Sequence, residues 1–165
     1  QNVTTVDPAH PGFSIQIGEV VSRGFEFEAV ASLTSNLNLT AAYAYNDARV
    51  TRSTTANLGR RPVTTPPHLA SVWADYTIRE GALSGLGFGG GIRYVSASAG
   101  DTLNTFDAPA YTVVDAMARY DIDNWRFSVN VTNLFDNQYV TGCFALSQCS
   151  VGRVRTVLGR VSYRW

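Results

Sequence analysis

Few residues in this chain are equipped for chemistry. Cys143 and Cys149 stand six apart, His10 and His68 are the two histidines, and all 13 basic residues are Arg, balanced by 13 Asp and Glu. An even cysteine pair at that spacing suits a small disulfide loop in an oxidising compartment. Two free thiols or half of a metal site are the alternatives, and a zinc site would lack ligands because no His lies near. Two scattered histidines make no persuasive Ser-His-Asp order, and no paired carboxylates sit in an evident pocket. The chain therefore reads as non-enzymatic. Gly85-Leu86-Gly87-Phe88-Gly89-Gly90 fits G-x-G-x-x-G by letter, but no helix or βαβ unit follows it. It reads better as a turn running into a glycine-rich strand whose neighbours pack closely. The sequons at Asn2, Asn38 and Asn130 carry no meaning, two of them lying inside predicted strands.

Composition narrows the partners. A formal net charge of zero over 165 residues argues against nucleic acid, since phosphate affinity needs a clustered basic surface. No apolar run approaches the roughly 18 residues of a membrane helix. Gln1 to Pro11 lacks a basic-then-apolar leader pattern.

The elements that would position these residues repeat with a period of two. Phe25, Phe27, Ala29, Ala31 and Leu33 alternate with Glu26, Glu28, Val30 and Ser32. The same alternation runs through 37–45, 70–79, 86–94, 112–121, 125–132 and 157–165, which makes seven strand candidates and no competing helix. No residue in the apolar phase is charged. The opposite phase carries Glu26, Glu28, Asp75, Arg79, Arg93, Asp115, Arg119, Asp121, Arg126, Arg160 and Arg164.

Such a face could meet a second sheet in a soluble β-sandwich or lipid in an outer-membrane barrel. Three features favour the barrel. Short turns near 34–36, 80–85 and 121–124 alternate with long loops at about 51–66, 95–109 and 134–155. Tyr43, Tyr45 and Tyr94 lie towards the long loops, while Tyr76, Tyr120, Trp125, Tyr163 and Trp165 lie towards the short turns, as interfacial girdles would. A strand of about 12 residues tilted by about 45° rises roughly 28 Å, enough to cross the apolar layer. Seven strands leave open edges, which lipid does not tolerate. Phe13, Ile15 and Ile17 extend the first strand without a turn signal, so the chain is expected to be a piece of a larger barrel; a small complete barrel with an adhesion or structural role is the second reading.

Several segments then resemble one family. Asn133-Leu134-Phe135-Asp136-Asn137-Gln138-Tyr139, followed by a loop and a strand ending Ser162-Tyr163-Arg164-Trp165, resembles the C-terminal part of TonB-dependent outer-membrane receptors. Ser22-Arg23-Gly24-Phe25-Glu26-Phe27-Glu28 is similar to a strand of that family. Arg61-Pro62-Val63 and Pro66-Pro67-His68, leading to Trp73-Ala74-Asp75-Tyr76, are similar to its loop-to-strand segment. Cys143-Phe144-Ala145-Leu146-Ser147-Gln148-Cys149 resembles the siderophore branch, especially receptors for ferric hydroxamates such as ferrichrome. Where that branch has an aromatic pair after the second cysteine, this chain has Ser150-Val151.

The resemblance implies an all-β protein, an antiparallel transmembrane β-barrel of 22 strands closed by a plug domain, of which residues 1–165 supply the last seven strands without plug or earlier strands. It implies TonB-energised uptake of ferric siderophores across the outer membrane of a Gram-negative bacterium, with the siderophore as cargo and no bound cofactor or resident metal. Expected partners are the TonB complex and plug through the remaining part of the protein, the outer-membrane assembly machinery, and surrounding lipid and lipopolysaccharide. Within this frame Phe106, Tyr111, Phe144 and Arg153 are the candidate ligand contacts, aromatics packing on a siderophore and Arg attracting an anionic chelate. Cys143–Cys149 would stiffen the loop that presents Phe144. Tyr163 and Trp165 would form the strand signal read by the assembly machinery.

Overall fold

The computed structural model describes residues 3–165, so the sequon at Asn2 lies outside the described residues. It contains twelve strands and, among the described residues, no helix: β1 Val3–Val6, β2 Ser14–Ser32, β3 Leu37–Arg52, β4 His68–Thr77, β5 Leu86–Val95, β6 Ser98–Ala99, β7 Asp107–Ala108, β8 Tyr111–Ile122, β9 Trp125–Thr132, β10 Val140–Ala145, β11 Gln148–Val151 and β12 Thr156–Tyr163. Eight form one antiparallel sheet in the order β1-β2-β3-β4-β5-β8-β9-β12. The pairs β6–β7 and β10–β11 are separate hairpins set within long loops.

All seven expected strands are present as neighbours in chain order. The eighth, β1, pairs with the upper part of β2, where Thr5 faces Ile15 and Val6 faces Ser14. Four residues leave too little alternation to mark a strand in sequence. Ile15 and Ile17 do extend the first long strand as expected, but it begins at Ser14 and leaves Phe13 in the connection before it.

Connections alternate between short and long. Residues 33–36, 78–85 and 123–124 join strands at one end; 53–67, 96–110 and 133–155 join them at the other. The short turns carry their own chemistry. Thr34 Oγ1 accepts from Asn36 N–H and Leu37 N–H at 3.2 and 3.0 Å, a hydroxyl mimicking a backbone turn. Asp123 adopts φ 47 between Ile122 and its partner Trp125, the left-handed backbone a two-residue hairpin needs.

Register keeps each phase of the alternation on its own face from strand to strand. Leu37, Tyr76, Phe88, Ala118, Val129 and Gly159 form one row across six strands. The adjacent row is Asn38, Asp75, Gly89, Met117, Asn130 and Leu158, on the opposite face. A slip of one residue anywhere would exchange the faces. Rings gather at both ends of the apolar face. Phe25, Tyr43, Tyr45 and His68 cluster towards the long loops, with centroids 5.1 Å apart for Tyr45 and His68 and 5.7 Å for Phe25 and Tyr43. Trp125 and Tyr163 meet at 4.8 Å towards the short turns.

None of the described residues covers the apolar face: Phe25 and Phe27 are each 60% exposed and Ile92 is 52% exposed. The total accessible surface is 11006 Å², against about 8,000 Å² for a compact globular monomer of this mass. Among the described residues the sheet is a single layer with no hydrophobic core of its own.

The opposite face is polar and cross-braced. Arg119 of β8 donates to both carboxylate oxygens of Asp75 on β4 at 2.7 and 3.0 Å, and to Thr77 Oγ1 at 2.7 Å. The bridge spans β5, and the glycines of β5 let it do so. A Cβ at Gly87 would lie 3.0 Å from the Arg119 guanidinium carbon, and one at Gly89 2.6 Å from Cζ2 of Trp73. The expected close packing around the glycine-rich strand is thus a trough that side chains of β4 and β8 cross.

Candidate functional site

The long-loop end holds the ordered interior of the molecule. Among the described residues, the buried side chains include Ala48, Val50, Pro67, Ala99, Ala108, Val113, Cys143, Thr5, Ser96, Ser98 and Asn133, all in the long loops or the strand ends beside them. Their geometry shows how three loops of mostly small and polar residues hold one shape.

Asn133 is the central clasp. It is fully buried at φ 55, a left-handed conformation Asn tolerates better than most residues. Its Nδ2 donates to the carbonyls of Asn137 and Arg153 at 2.9 and 3.0 Å, and its Oδ1 accepts from Asn137 N–H at 3.0 Å. Its own N–H donates to Asp115 Oδ1 at 2.9 Å. Asp115 in turn holds Arg93 by a two-point pair at 2.7 and 3.1 Å. The start and end of the 133–155 loop are therefore stitched together and tied to β5 and β8. Arg155 N–H donates to Asp136 Oδ1 at 2.7 Å, closing the same base.

Asn104 does the same between the first two loops. Its Oδ1 accepts from Arg61 N–H at 2.8 Å and its Nδ2 donates to the Arg61 carbonyl at 3.0 Å. Thr64 N–H donates to the Ala99 carbonyl at 3.2 Å. Gly142, in the third loop, lies so near Thr64 that a Cβ there would come within 2.7 Å of its methyl carbon. All three loops are in mutual contact. Asp101 closes the turn below Asn104 by accepting from the Thr105 hydroxyl and, at 2.8 Å, from Thr105 N–H. These bonds hold its carboxyl below the usual carboxylate range.

The sequence-derived candidates occupy distinct places on this assembly. Cys143 and Cys149 form the disulfide, across the β10–β11 hairpin with Cα atoms 4.0 Å apart; Cys143 is buried and Cys149 exposed. Phe144, next to the buried sulfur, is 59% exposed. Phe106 packs its ring against Gly100, where a Cβ would clash at 2.2 Å. Tyr111 packs against Tyr139 with centroids 4.4 Å apart and the rings tilted by 31°, beside a groove of about 280 Å³ lined also by Thr112, Asn137, Gln138 and Val140. Arg153 is exposed, and its carbonyl rather than its guanidinium is engaged by Asn133. Tyr163 packs on Trp125, and Trp165 is fully exposed. The loops bring Tyr111, Phe144 and Arg153 to one end without placing them in a single enclosed pocket. A wider groove of about 420 Å³ runs between Glu26, Glu28, Ser71 and Arg93.

Sequence reasoning did not assign Asn133, Asn104 or Tyr139 a part in this site. Asn133 and Tyr139 lay inside a quoted motif, and the available signal was an Asn followed four residues later by another Asn in a long connection. No group of three His, Cys, Asp or Glu able to hold a metal ion occurs among the described residues.

Comparison with known proteins gives the same architecture a lineage. A family model described as TonB dependent receptor-like, beta-barrel matches residues 1–134. The ferrichrome outer membrane transporter/phage receptor of Escherichia coli (strain K12) is 41% identical over 169 residues, covering 99% of this chain and 22% of that protein. The ferrioxamine B receptor of Salmonella typhimurium is 40% identical over 165 residues, covering 97% of this chain and 23% of that protein. The crystal structure of the siderophore receptor PiuA from Acinetobacter baumannii superposes with a TM-score of 0.79 at 27% identity, over 99% of this chain and 24% of that one. The chain thus spans less than a quarter of the length of these two curated relatives. An uncovered apolar face bounded by rings, a braced polar face, and alternating short and long connections are what a barrel wall requires, and with these matches they establish that the chain belongs to the TonB-dependent receptor β-barrel family of the Gram-negative outer membrane.

Proposed function

We propose that residues 1–165 form the last strands and three extracellular loops of a 22-stranded outer-membrane receptor, closed by a plug domain and energised through TonB, that imports a ferric hydroxamate siderophore. The observation that carries the reading is the pre-assembled loop end, since ordering the loops before the ligand arrives removes that cost from binding. Resemblance to receptors whose names specify ferrichrome and ferrioxamine B supports the hydroxamate class. Phe144 and the Tyr111–Tyr139 pair supply aromatic surface to the chelate, and Arg153 supplies positive charge. Phe106 serves mainly to shape its own loop. The protein transports rather than transforms its ligand, so the ferric chelate is cargo and no resident cofactor is needed. Tyr163 and Trp165 present the strand edge to the assembly machinery, and lipid and lipopolysaccharide surround the outer face.

Titration of the full-length receptor with ferrichrome and ferrioxamine B, followed by intrinsic fluorescence, tests the proposal. Saturable quenching by either, weakened about tenfold in Phe144→Ala, is expected. Unchanged fluorescence with both hydroxamates, or equal response to a ferric catecholate, contradicts it.

A further inference from the structure

At the loop end of β8 the polar face of the wall does not stand open. Tyr111, Val113 and Asp115 occupy successive positions of that face, and the third loop meets the first and the last of them. Tyr139 packs its ring against Tyr111 with centroids 4.4 Å apart, and Asn133 N–H donates to Asp115 Oδ1 at 2.9 Å. Val113 between them, opposite Arg93 in the β5–β8 register, is 0% exposed. The returning limb closes on the same spot. Gly152 N–H donates to the Tyr139 carbonyl at 2.8 Å, and a Cβ at Gly152 would come within 2.1 Å of the Tyr139 ring. The root of the loop is thus folded onto the polar face, and the disulfide hairpin that carries Phe144 runs from Val140 to Val151 directly above it.

We propose that Asp115 and Arg93 are positioning residues for ligand capture, acting through Asn133 to set where the third loop holds Phe144. Their effect on capture rests on the reading above that this loop presents Phe144 to a ferric hydroxamate. The geometry makes Asp115 a junction. Its carboxylate takes two hydrogen bonds from Arg93 on the neighbouring strand, at 2.7 and 3.1 Å, and one from the loop. Oδ1 is shared between Arg93 Nη2 and Asn133 N–H, so the guanidinium fork fixes the direction in which that oxygen meets the loop. Asn133 passes the constraint on, through the Arg153 carbonyl at 3.0 Å, to the limb returning from the hairpin. Side chains that bind a ligand keep a productive geometry only when the residues behind them are themselves locked by hydrogen bonds. The wall also supplies an internal control. Arg119 grips Asp75 at two points in the same way, at 2.7 and 3.0 Å, on the same face, but no backbone N–H of a long loop donates to Asp75.

The test uses the full-length receptor in lipid vesicles, with ferrichrome and ferrioxamine B as probes of affinity and hydrogen exchange as the probe of the loop. D115A is expected to weaken binding about tenfold and to speed exchange across 133–155, leaving the β4 amides as they were. D115N keeps an oxygen for Asn133 N–H but loses the charge pair, and is expected to weaken binding about threefold, as is R93Q. Added to D115A, R93Q is expected to change nothing further, because Arg93 acts only through that carboxylate. The exchanged pair R93D/D115R is expected not to restore affinity, since an Arg at position 115 offers Asn133 N–H no acceptor. R119Q is expected to bind as the wild type does. Heat-dependent mobility in SDS establishes that each variant is folded. Wild-type affinity in folded D115A would overturn the proposal, as would a loss from R93Q that persists in D115A, which would mean direct contact with the ligand. Restored affinity in the exchanged pair, weakened binding in R119Q, or weakened binding with unchanged loop exchange would overturn it too. A wild-type receptor that binds neither hydroxamate would strike the ligand reading instead, and loop exchange in D115A and R93Q would then decide the positioning role.

Discussion

The wall and the loop end of this chain are ordered by opposite means. Along the wall, from Phe25 to Val161, large apolar side chains are left uncovered and strand register does the organising. At the loop end the buried side chains are small or polar, and Asn133 and Asn104 do the organising through paired hydrogen bonds. The wall therefore depends on its surroundings for stability, because lipid takes the place of a core, whereas the loop end carries its shape within itself. A receptor surface exposed to water must be self-sufficient in this way; a strand inside a bilayer need not be.

The largest expected effects come from breaking the wall on one face only. Val72 and Ser71 are adjacent in β4 but face opposite ways. Val72→Arg places a guanidinium in the apolar band and is expected to cost about 2–4 kcal/mol at mid-membrane depth. Ser71→Arg, on the polar face, is expected to cost less than about 1 kcal/mol. Denaturant unfolding of the full-length protein in lipid vesicles measures both.

Asn133→Ala breaks the loop end instead. It strands the Asn137 N–H and the Arg153 and Asn137 carbonyls, and each buried polar group left unpaired costs about 1–3 kcal/mol. Hydrogen exchange is expected to accelerate across 133–155 while the amides of β4 and β5 keep their protection. If wall and loops exchanged together, the distinction between them would fail.

Reduction of the Cys143–Cys149 bond sharpens the contrast within a single loop. The small closed loop contributes about 2–2.5 kcal/mol through unfolded-state entropy. Loss of it is expected to loosen β10 and β11 alone, because the base of the loop is held separately by Asn133 and Asp136. Proteolysis near Phe144 should rise on reduction with no change in wall stability. Gly89→Ala pushes a methyl into Trp73, whose Cζ2 would be 2.6 Å away, and overpacking of this kind costs about 1–3 kcal/mol. It should shift Trp73 fluorescence and leave the loops untouched.

The smallest effect is on pH. The Asp101 carboxyl is held below its ordinary range by the bonds from Thr105. Its contribution to the second loop is therefore fully present above the unfolded value of about 3.9 and is lost only as pH falls through the lower folded value. Exchange of the Thr105 amide should be steady from pH 7 to pH 5 beyond the intrinsic rate change, and should exceed that baseline only in more acidic solution.

What could be read in the sequence follows the same division. Period-two alternation located the seven long strands within two or three residues at most ends, because one face of each must avoid charge along its whole length. Segment 70–79 proved to be His68–Thr77 and 112–121 proved to be Tyr111–Ile122. Short pieces such as Val3–Val6, Ser98–Ala99 and Asp107–Ala108 have no periodicity to read. The disulfide was legible from spacing. The clasps were not, since the value of Asn133 and Asn104 lies in distant carbonyls that the fold brings within reach. The glycine-rich strand gave a partial signal: close packing was legible, but not that Trp73 and Arg119 would be the side chains lying across it.

The central claim is that the uncharged face meets lipid and the charged face does not. A nitroxide placed in turn at each position from 70 to 77 of the full-length receptor in bilayers tests it most directly, by comparing accessibility to oxygen with accessibility to a water-soluble nickel reagent. The account predicts a period of two, with oxygen favoured at Ala70, Val72, Ala74 and Tyr76 and disfavoured at Ser71, Trp73, Asp75 and Thr77. A flat profile, or one with the opposite phase, would contradict it.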